Sequence, residues 1–193
     1  WGYINKTGNF EIQPQFAFAY RFSDNLAHVV LKTKSGDHTF DIHGFIDKTG
    51  EFVIKPRASY VPKDFSEGLA PTAVHNKTYG YIDKRGIFAI PPQYNNAECF
   101  SEGLAAVKIR DKYGYIDKEG TNMIPPSFKI ARQFSEGLAC VKVGNKWGYI
   151  DKLGNTVIQI QFDNAHSFYE GLAAVTLDGK KWGFIDKTGK FVL

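Results

Sequence analysis

The sequence predicts an all-β fold, a tandem array of three-stranded meanders about 34 residues long, stacked as an open β-solenoid, with a closed, propeller-like ring as the alternative. Three observations predict it. An aromatic-Gly-aromatic-Ile-Asp-Lys-x-Gly motif recurs six times, from Trp1, His43, Tyr79, Tyr113, Trp147 and Trp182, at steps of 42, 36, 34, 34 and 35 residues. A Phe-Ser-Glu-Gly-Leu-Ala motif recurs five times, from Phe22, Phe65, Phe100, Phe134 and Phe168, in fixed phase with the first. The composition, with 16 Phe, 10 Tyr and 19 Gly in 193 residues, suits strands joined by tight turns. A single array is therefore expected over residues 1–193.

One unit, from Phe134 to Ile160, shows how each element arises. Leu138–Val143 alternates, with Ala139, Val141 and Val143 on one face, and reads as a strand. Gly144-Asn145 turns the chain. Trp147–Asp151 is the second strand, with Trp147 and Tyr149 on one face and Gly148 and Ile150 on the other. Asp151-Lys-Leu-Gly154 fits a type I turn closed by a left-handed glycine, and Asp favours the turn start by accepting from nearby backbone N–H groups. Thr156–Ile158 is the third strand. Prolines such as Pro56, Pro91, Pro92, Pro125 and Pro126 mark the connection, where the chain is expected to leave or edge the sheet. The Phe-Ser-Glu-Gly segment then reads as a corner into the next unit. The period matches that of tetratricopeptide helical hairpins, but the units lack the 3.6-residue apolar stripes such helices need.

These two motifs in fixed phase resemble the WG-repeat (KWG) family of bacterial β-repeat proteins, over essentially the whole chain. The resemblance implies interaction or structural modules with no assigned catalytic residues. The sequence departs from the pattern locally: His43, Tyr79 and Tyr113 replace the leading Trp, Asn5 replaces the turn Asp, and Asp24-Asn25 replaces Glu-Gly.

Charge and motifs narrow the function classes. The net charge of +4 is mild and acids alternate with lysines, which argues against a nucleic-acid binder. No stretch reaches the about 20 apolar residues of a membrane-spanning helix, so no membrane insertion is expected. The chain opens on Trp1 rather than Met, so the lack of a leader decides nothing about export. Two N-x-T sequons stand at Asn5 and Asn76, and Cys99 and Cys140 form no C-x-x-C motif. No phosphate-binding loop, nucleophile elbow or zinc-protease motif is present. Asp47 and Asp186 open an Asp-Lys-Thr-Gly tetrapeptide resembling the phosphorylated-aspartate motif of P-type ATPases, yet the same turn occurs six times with a variable third residue, as turn chemistry requires.

Four features remain as candidates. The aromatic row Trp1, His43, Tyr79, Tyr113, Trp147 and Trp182, with Tyr149 from the alternate row, offers area and polar tips for a partner, or packing between repeats. Corner acids (Asp24, Glu67, Glu102, Glu136, Glu170) and turn lysines (Lys6, Lys48, Lys84, Lys118, Lys152, Lys187) form two further rows. The first spacing is about eight residues longer than the rest, around Lys32–His43, and reads as an exposed loop carrying Asp37, His38, Asp41 and His43. The expected function is a non-catalytic scaffold for protein–protein interaction; a carbohydrate or cell-wall binding module is the alternative. No metal or cofactor is expected. The compartment stays open, with a cell envelope or secreted setting slightly favoured.

Overall fold

The alternating segments of each repeat become antiparallel strands in the computed structural model, which describes residues 1–74 and 77–192. His75 and the sequon at Asn76 lie outside the described residues. All regular structure among those residues is β. The chain divides into two compact units, Trp1–Gln93 and Tyr94–Leu193.

In the first unit, β1 (Tyr3–Ile4) pairs with β2 (Phe10–Ile12) in a two-stranded sheet. A second sheet orders β3 (Phe18–Ser23), β4 (Leu26–Ser35), β5 (His38–Ile46) and β6 (Phe52–Arg57) as 3-4-5-6. A third holds β7 (Val61–Pro62), β8 (Ala70–Ala73), β9 (Tyr79–Ile82) and β10 (Phe88–Tyr94) in sequence order. In the second unit, the fourth sheet comprises β11 (Asn96–Ala97), β12 (Ala105–Ile109), β13 (Lys112–Ile116) and β14 (Asn122–Phe128). The fifth comprises β15 (Ile130–Ser135), β16 (Leu138–Val143), β17 (Lys146–Ile150) and β18 (Thr156–Phe162), and the sixth β19 (Asn164–Ala165), β20 (Ala173–Thr176) and β21 (Trp182–Ile185).

The meander read from the sequence is present, and a fourth strand joins its front edge. The segment expected to be a corner is in fact a hairpin turn. In the fifth sheet Ser135 pairs with Leu138, and both central residues are left-handed, Glu136 at φ 54° and Gly137 at 86°. Two positive φ angles in a two-residue hairpin define a type I′ turn, whose hand matches strand twist. The same pair of positive angles occurs at Asp24-Asn25, Glu67-Gly68, Glu102-Gly103 and Glu170-Gly171. Four antiparallel strands per repeat is the strand count of a propeller blade.

The connection prolines Pro56, Pro91, Pro92, Pro125 and Pro126 stay inside the sheet but on its edge. Tyr113 pairs with Phe128 and Tyr115 with Ile124, so two residues of β13 oppose four of β14, and Pro125-Pro126 sit in that bulge. An edge strand needs no N–H on its outer side, which is where proline is tolerated. The bulge explains the central glycine of the motif. A Cβ at Gly148 would lie 2.7 Å from the Ile158 carbonyl oxygen, and at Gly44 2.8 Å from that of Ile54. The extra residues near Lys32–His43 are not a loop. They lengthen β4 and β5, paired from Ala27–Ile46 out to Ser35–His38, into an exposed ribbon.

Packing repeats as the sequence does. The Tyr149 ring meets Phe168 of the next sheet at 4.9 Å, as Tyr115 meets Phe134 at 4.9 Å, Tyr3 meets Phe22 at 4.9 Å and Phe45 meets Phe65 at 4.7 Å. Tyr149 Oη donates to the His166 carbonyl at 2.7 Å, and Tyr115 Oη to that of Arg132 at 2.7 Å. These buried aromatics make each sheet's apolar face dependent on its neighbour, the nearest-neighbour stability expected of a repeat array. Burial pushes the Tyr115 and Tyr149 hydroxyls well above their ordinary pKa.

Candidate functional site

Turn chemistry accounts for the Asp-Lys-x-Gly end of each sheet. Asp151 Oδ1 accepts from Leu153 N at 2.9 Å and Asn155 N at 2.8 Å, while Gly154 N donates to the Asp151 carbonyl at 3.0 Å. Asn5 does the same work in its place, its Oδ1 accepting from Thr7 N and Asn9 N at 3.0 Å. In both Asp-Lys-Thr-Gly copies the carboxylate is engaged in the turn. Thr49 Oγ1 donates to Asp47 at 2.6 Å and Thr188 Oγ1 to Asp186 at 2.6 Å. These side-chain hydrogen bonds, against the opposing effect of burial and helped by backbone N–H groups, hold both carboxyls below their ordinary range.

The acid and lysine rows meet each other across repeats. Glu136 accepts from Gly171 N at 3.0 Å and pairs with Lys187 at 2.9 Å. Glu102 accepts from Gly137 N at 3.0 Å and pairs with Lys152 at 3.1 Å. Asp24 accepts from Gly68 N at 2.6 Å and pairs with Lys84 at 3.0 Å. Serine adds a third link: Ser135 Oγ donates to the Phe168 carbonyl at 2.7 Å, and Ser101 Oγ to that of Phe134 at 2.8 Å. The corner acid therefore has a structural reason to occupy a left-handed position that costs a non-glycine residue about 1 kcal/mol. Its carboxylate closes the next repeat's turn. Neither row is free for a periodic polymer at these pairs.

The aromatic row lies toward the other end of the strands and is not uniform. Trp147 is 5% exposed, and Tyr149 is 0% exposed and belongs to the core. Lys142 and Arg132 stand over the Trp147 ring, at 5.5 and 5.2 Å from its centre. Lys108 stands over Tyr113 at 5.8 Å, whose Oη accepts from Asn96 Nδ2 at 3.0 Å. In the first unit Lys63 covers Tyr79 at 5.8 Å. Register makes two of these pairs: Lys142 lies directly opposite Trp147, and Lys108 opposite Tyr113. Trp1, 67% exposed, and Trp182, 47% exposed, are the open members of the row. Trp182 meets His166 edge-on at 5.1 Å, and Trp1 is tied through its ammonium to the Phe16 carbonyl at 2.6 Å.

His43 turns away from the ribbon. Its Nδ1 lies 3.0 Å from His28 Nε2, and His28 stacks on Tyr20 at 4.7 Å. Burial, reinforced by the neighbouring His43, pushes His28 down to about 4. Burial also lowers His43, against the pull of Asp41. Among the described residues no three His, Cys, Asp or Glu side chains gather to hold a metal ion.

A family model for the WG containing repeat matches residues 1–32, 44–77, 79–113, 113–147, 147–180 and 182–193. The chain belongs to the WG repeat family. No curated protein matches it. Its fold is similar to a crystal structure of the eukaryotic initiation factor, at TM-score 0.54 and 13% identity over 87% of this chain and 51% of that one. It is similar to BamB from Moraxella catarrhalis, at TM-score 0.51 and 11% identity over 97% of this chain and 67% of that one. A WD40 beta propeller domain of Doa1 matches at TM-score 0.47 and 11% identity, over 90% of this chain and 66% of that one. The WG repeats here thus span about half to two thirds of the length of the structures they match. At these identities the likeness concerns the fold alone.

Sequence reasoning missed the cations of the WG repeat's aromatic row. Lys108 and Lys142 were legible only as polar positions of an alternating strand, and register decides what stands opposite them. Arg132 sits where the β15–β16 pairing slips between Ala131 and Phe134. A bulge re-aims side chains, and nothing in the local sequence fixes where this one points.

Proposed function

We propose that this chain is a non-catalytic WG-repeat scaffold that binds another protein. The covering of the aromatic row supports this reading. A sugar-binding platform needs a bare ring face, whereas Trp147 is 5% exposed with two cations over it. Charged heads over rigid aromatics, beside apolar positions such as Ile130 and Val143, have the mixed character of protein-binding surfaces. Benzoylphenylalanine placed singly at the exposed Phe40, Ile130 and Tyr169 tests it in the parent cells. At least one position is expected to give a discrete protein adduct that purified components reproduce. Absence of any adduct from all three overturns the reading.

A carbohydrate-binding reading draws its support from Trp182. That ring is 47% exposed and, with Leu177, Asp178, Lys181 and Phe191, lines a depression of about 290 Å³. Titration with soluble cell-wall glycans, read by tryptophan fluorescence, separates the two. A saturable shift lost in folded Trp182→Ala favours the sugar; a flat response leaves the scaffold.

A further inference from the structure

The charges of the second unit fall into two groups. At the turn end the lysines are partnered: Lys152 with Glu102 and Lys187 with Glu136. Lys108, Arg132 and Lys142 lie over aromatic rings instead, and among the described residues none of the three forms an ion pair with a carboxylate. A ring beneath a cation restrains it without neutralising it, so its charge and remaining N–H donors stay available. Between the fourth and fifth sheets runs a groove of about 490 Å³ lined by Glu98, Tyr113, Ile130, Ala131, Arg132, Gln133 and Ser167. Its lining combines the apolar Ile130, 38% exposed, with the cationic Arg132. Arg110 and Lys129 on neighbouring turns, and Lys112 at the start of β13, add exposed positive charge.

We propose that this face of the second unit, Lys108 over Tyr113 with Arg132 and Lys142 over Trp147, docks an acidic extended segment of a partner protein. The inference rests on the scaffold reading and names the partner's chemistry. Charge complementarity selects the acid: three restrained cations lack anions, and the aromatic faces beneath them are closed to sugar stacking. Spacing selects the conformation. Packed sheets stand about 10 Å apart, so equivalent cations of adjacent repeats recur at about that interval. A polyproline II chain rises about 3.1 Å per residue with three residues per turn, which puts every third side chain on one side about 9 Å apart. A carboxylate at every third position therefore meets successive repeats.

The test uses the full chain and a fluorescein-labelled (Glu-Pro-Pro)4 peptide, read by fluorescence anisotropy. Saturable binding is expected near 50 mM salt, weakening at least tenfold near 300 mM as exposed charges are screened. The neutral (Gln-Pro-Pro)4 peptide should not bind. Lys108→Gln with Lys142→Gln should weaken binding at least tenfold, and Arg132→Gln at least threefold, with melting curves confirming that each variant folds. Lys190→Gln, remote from this face, should leave it unchanged. No saturable binding, equal binding of the neutral peptide, or equal loss from Lys190→Gln overturns the proposal. So does tighter binding of dextran sulfate or single-stranded DNA of matched charge, which would mark a general polyanion surface. If the peptide fails while cross-linking yields a partner, the scaffold stands and only the acidic docking mode falls.

Discussion

The second and fifth sheets place different chemistry at three equivalent positions. In the fifth sheet these are Arg132, Cys140 and Trp147; in the second they are Tyr20, His28 and His43. The fifth buries a neutral thiol, pushed up to about 12 by burial, and covers its tryptophan with two basic side chains. The second stacks Tyr20 on His28 and joins His28 to His43 at 3.0 Å, two groups whose charged forms burial disfavours. The strand order is the same in both, bulged beside a glycine and closed by an Asp-Lys-x-Gly turn, while the second sheet extends its central hairpin into the ribbon. The scaffold thus fixes positions, while the residues placed there decide whether a repeat presents charge or conceals it.

The comparison breaks first at what the two sheets share. Gly148→Ala and Gly44→Ala should each destabilise by about 2–3 kcal/mol, because at both the new methyl meets a backbone carbonyl oxygen that cannot yield, beside the Ile160 and Pro56 side chains respectively. Similar urea midpoint shifts for both would confirm a common constraint. A loss in one alone would mean that only one of the two sites lacks room for a methyl.

Acid should separate the two sheets next. His28 is lowered in the folded state to about 4 from an ordinary value of 6.5. Its contribution is complete above pH 6.5, where both states are neutral. It is lost as pH falls toward 4, because the unfolded chain binds the proton first. The loss is on the order of 2–3 kcal/mol for this group. Tyr20, His43 and Phe45 contact its ring, and Asp41 and Arg57 lie beside His43 on the same strand and its neighbour. Chemical denaturation at pH 7 and pH 4.5 should show it, and His28→Cys, borrowing the fifth sheet's residue, should flatten the profile. An unchanged profile would place the acid sensitivity elsewhere.

Two smaller effects sharpen the contrast. Tyr149→Phe removes the bond to the His166 carbonyl and should cost about 1 kcal/mol by thermal unfolding. The second sheet already has Phe45 at that position and makes no such bond. At the hairpin tips, Arg110 adopts φ 57° where the fifth sheet has Gly144 at 58°. Arg110→Gly should relieve left-handed strain and stabilise by about 0.5–1 kcal/mol, since its backbone N–H keeps the Asn95 Oδ1 acceptor at 2.7 Å. A destabilised variant would mean the side chain itself matters.

Local chemistry was legible where it completes itself within a few residues. Asp151 and Gly154 form the turn that their spacing predicts, and Leu138–Val143 alternates as a strand must. The Glu136-Gly137 turn was misread as a corner between units because the preferred type I′ pairs are Asn-Gly and Asp-Gly. Glutamate occupies that place for a reason outside its own repeat: its carboxylate reaches Gly171 and Lys187 of the next one. The Lys32–His43 segment looked like a loop because its charged residues gave no buried face. It is a ribbon whose strands leave the packed sheet and need none.

The sequence by itself determined the repeat, its phase, the β class and the turn at the foot of each meander, because those depend on spacing and on contacts within a few bonds. Tertiary structure decided which acid meets which lysine, which aromatic is core and which lies under a cation, and that His43 turns to His28. Those outcomes depend on register across strands and on the face of a neighbouring sheet. A shift of one residue would exchange every one of those partners, and no short stretch of sequence carries that information.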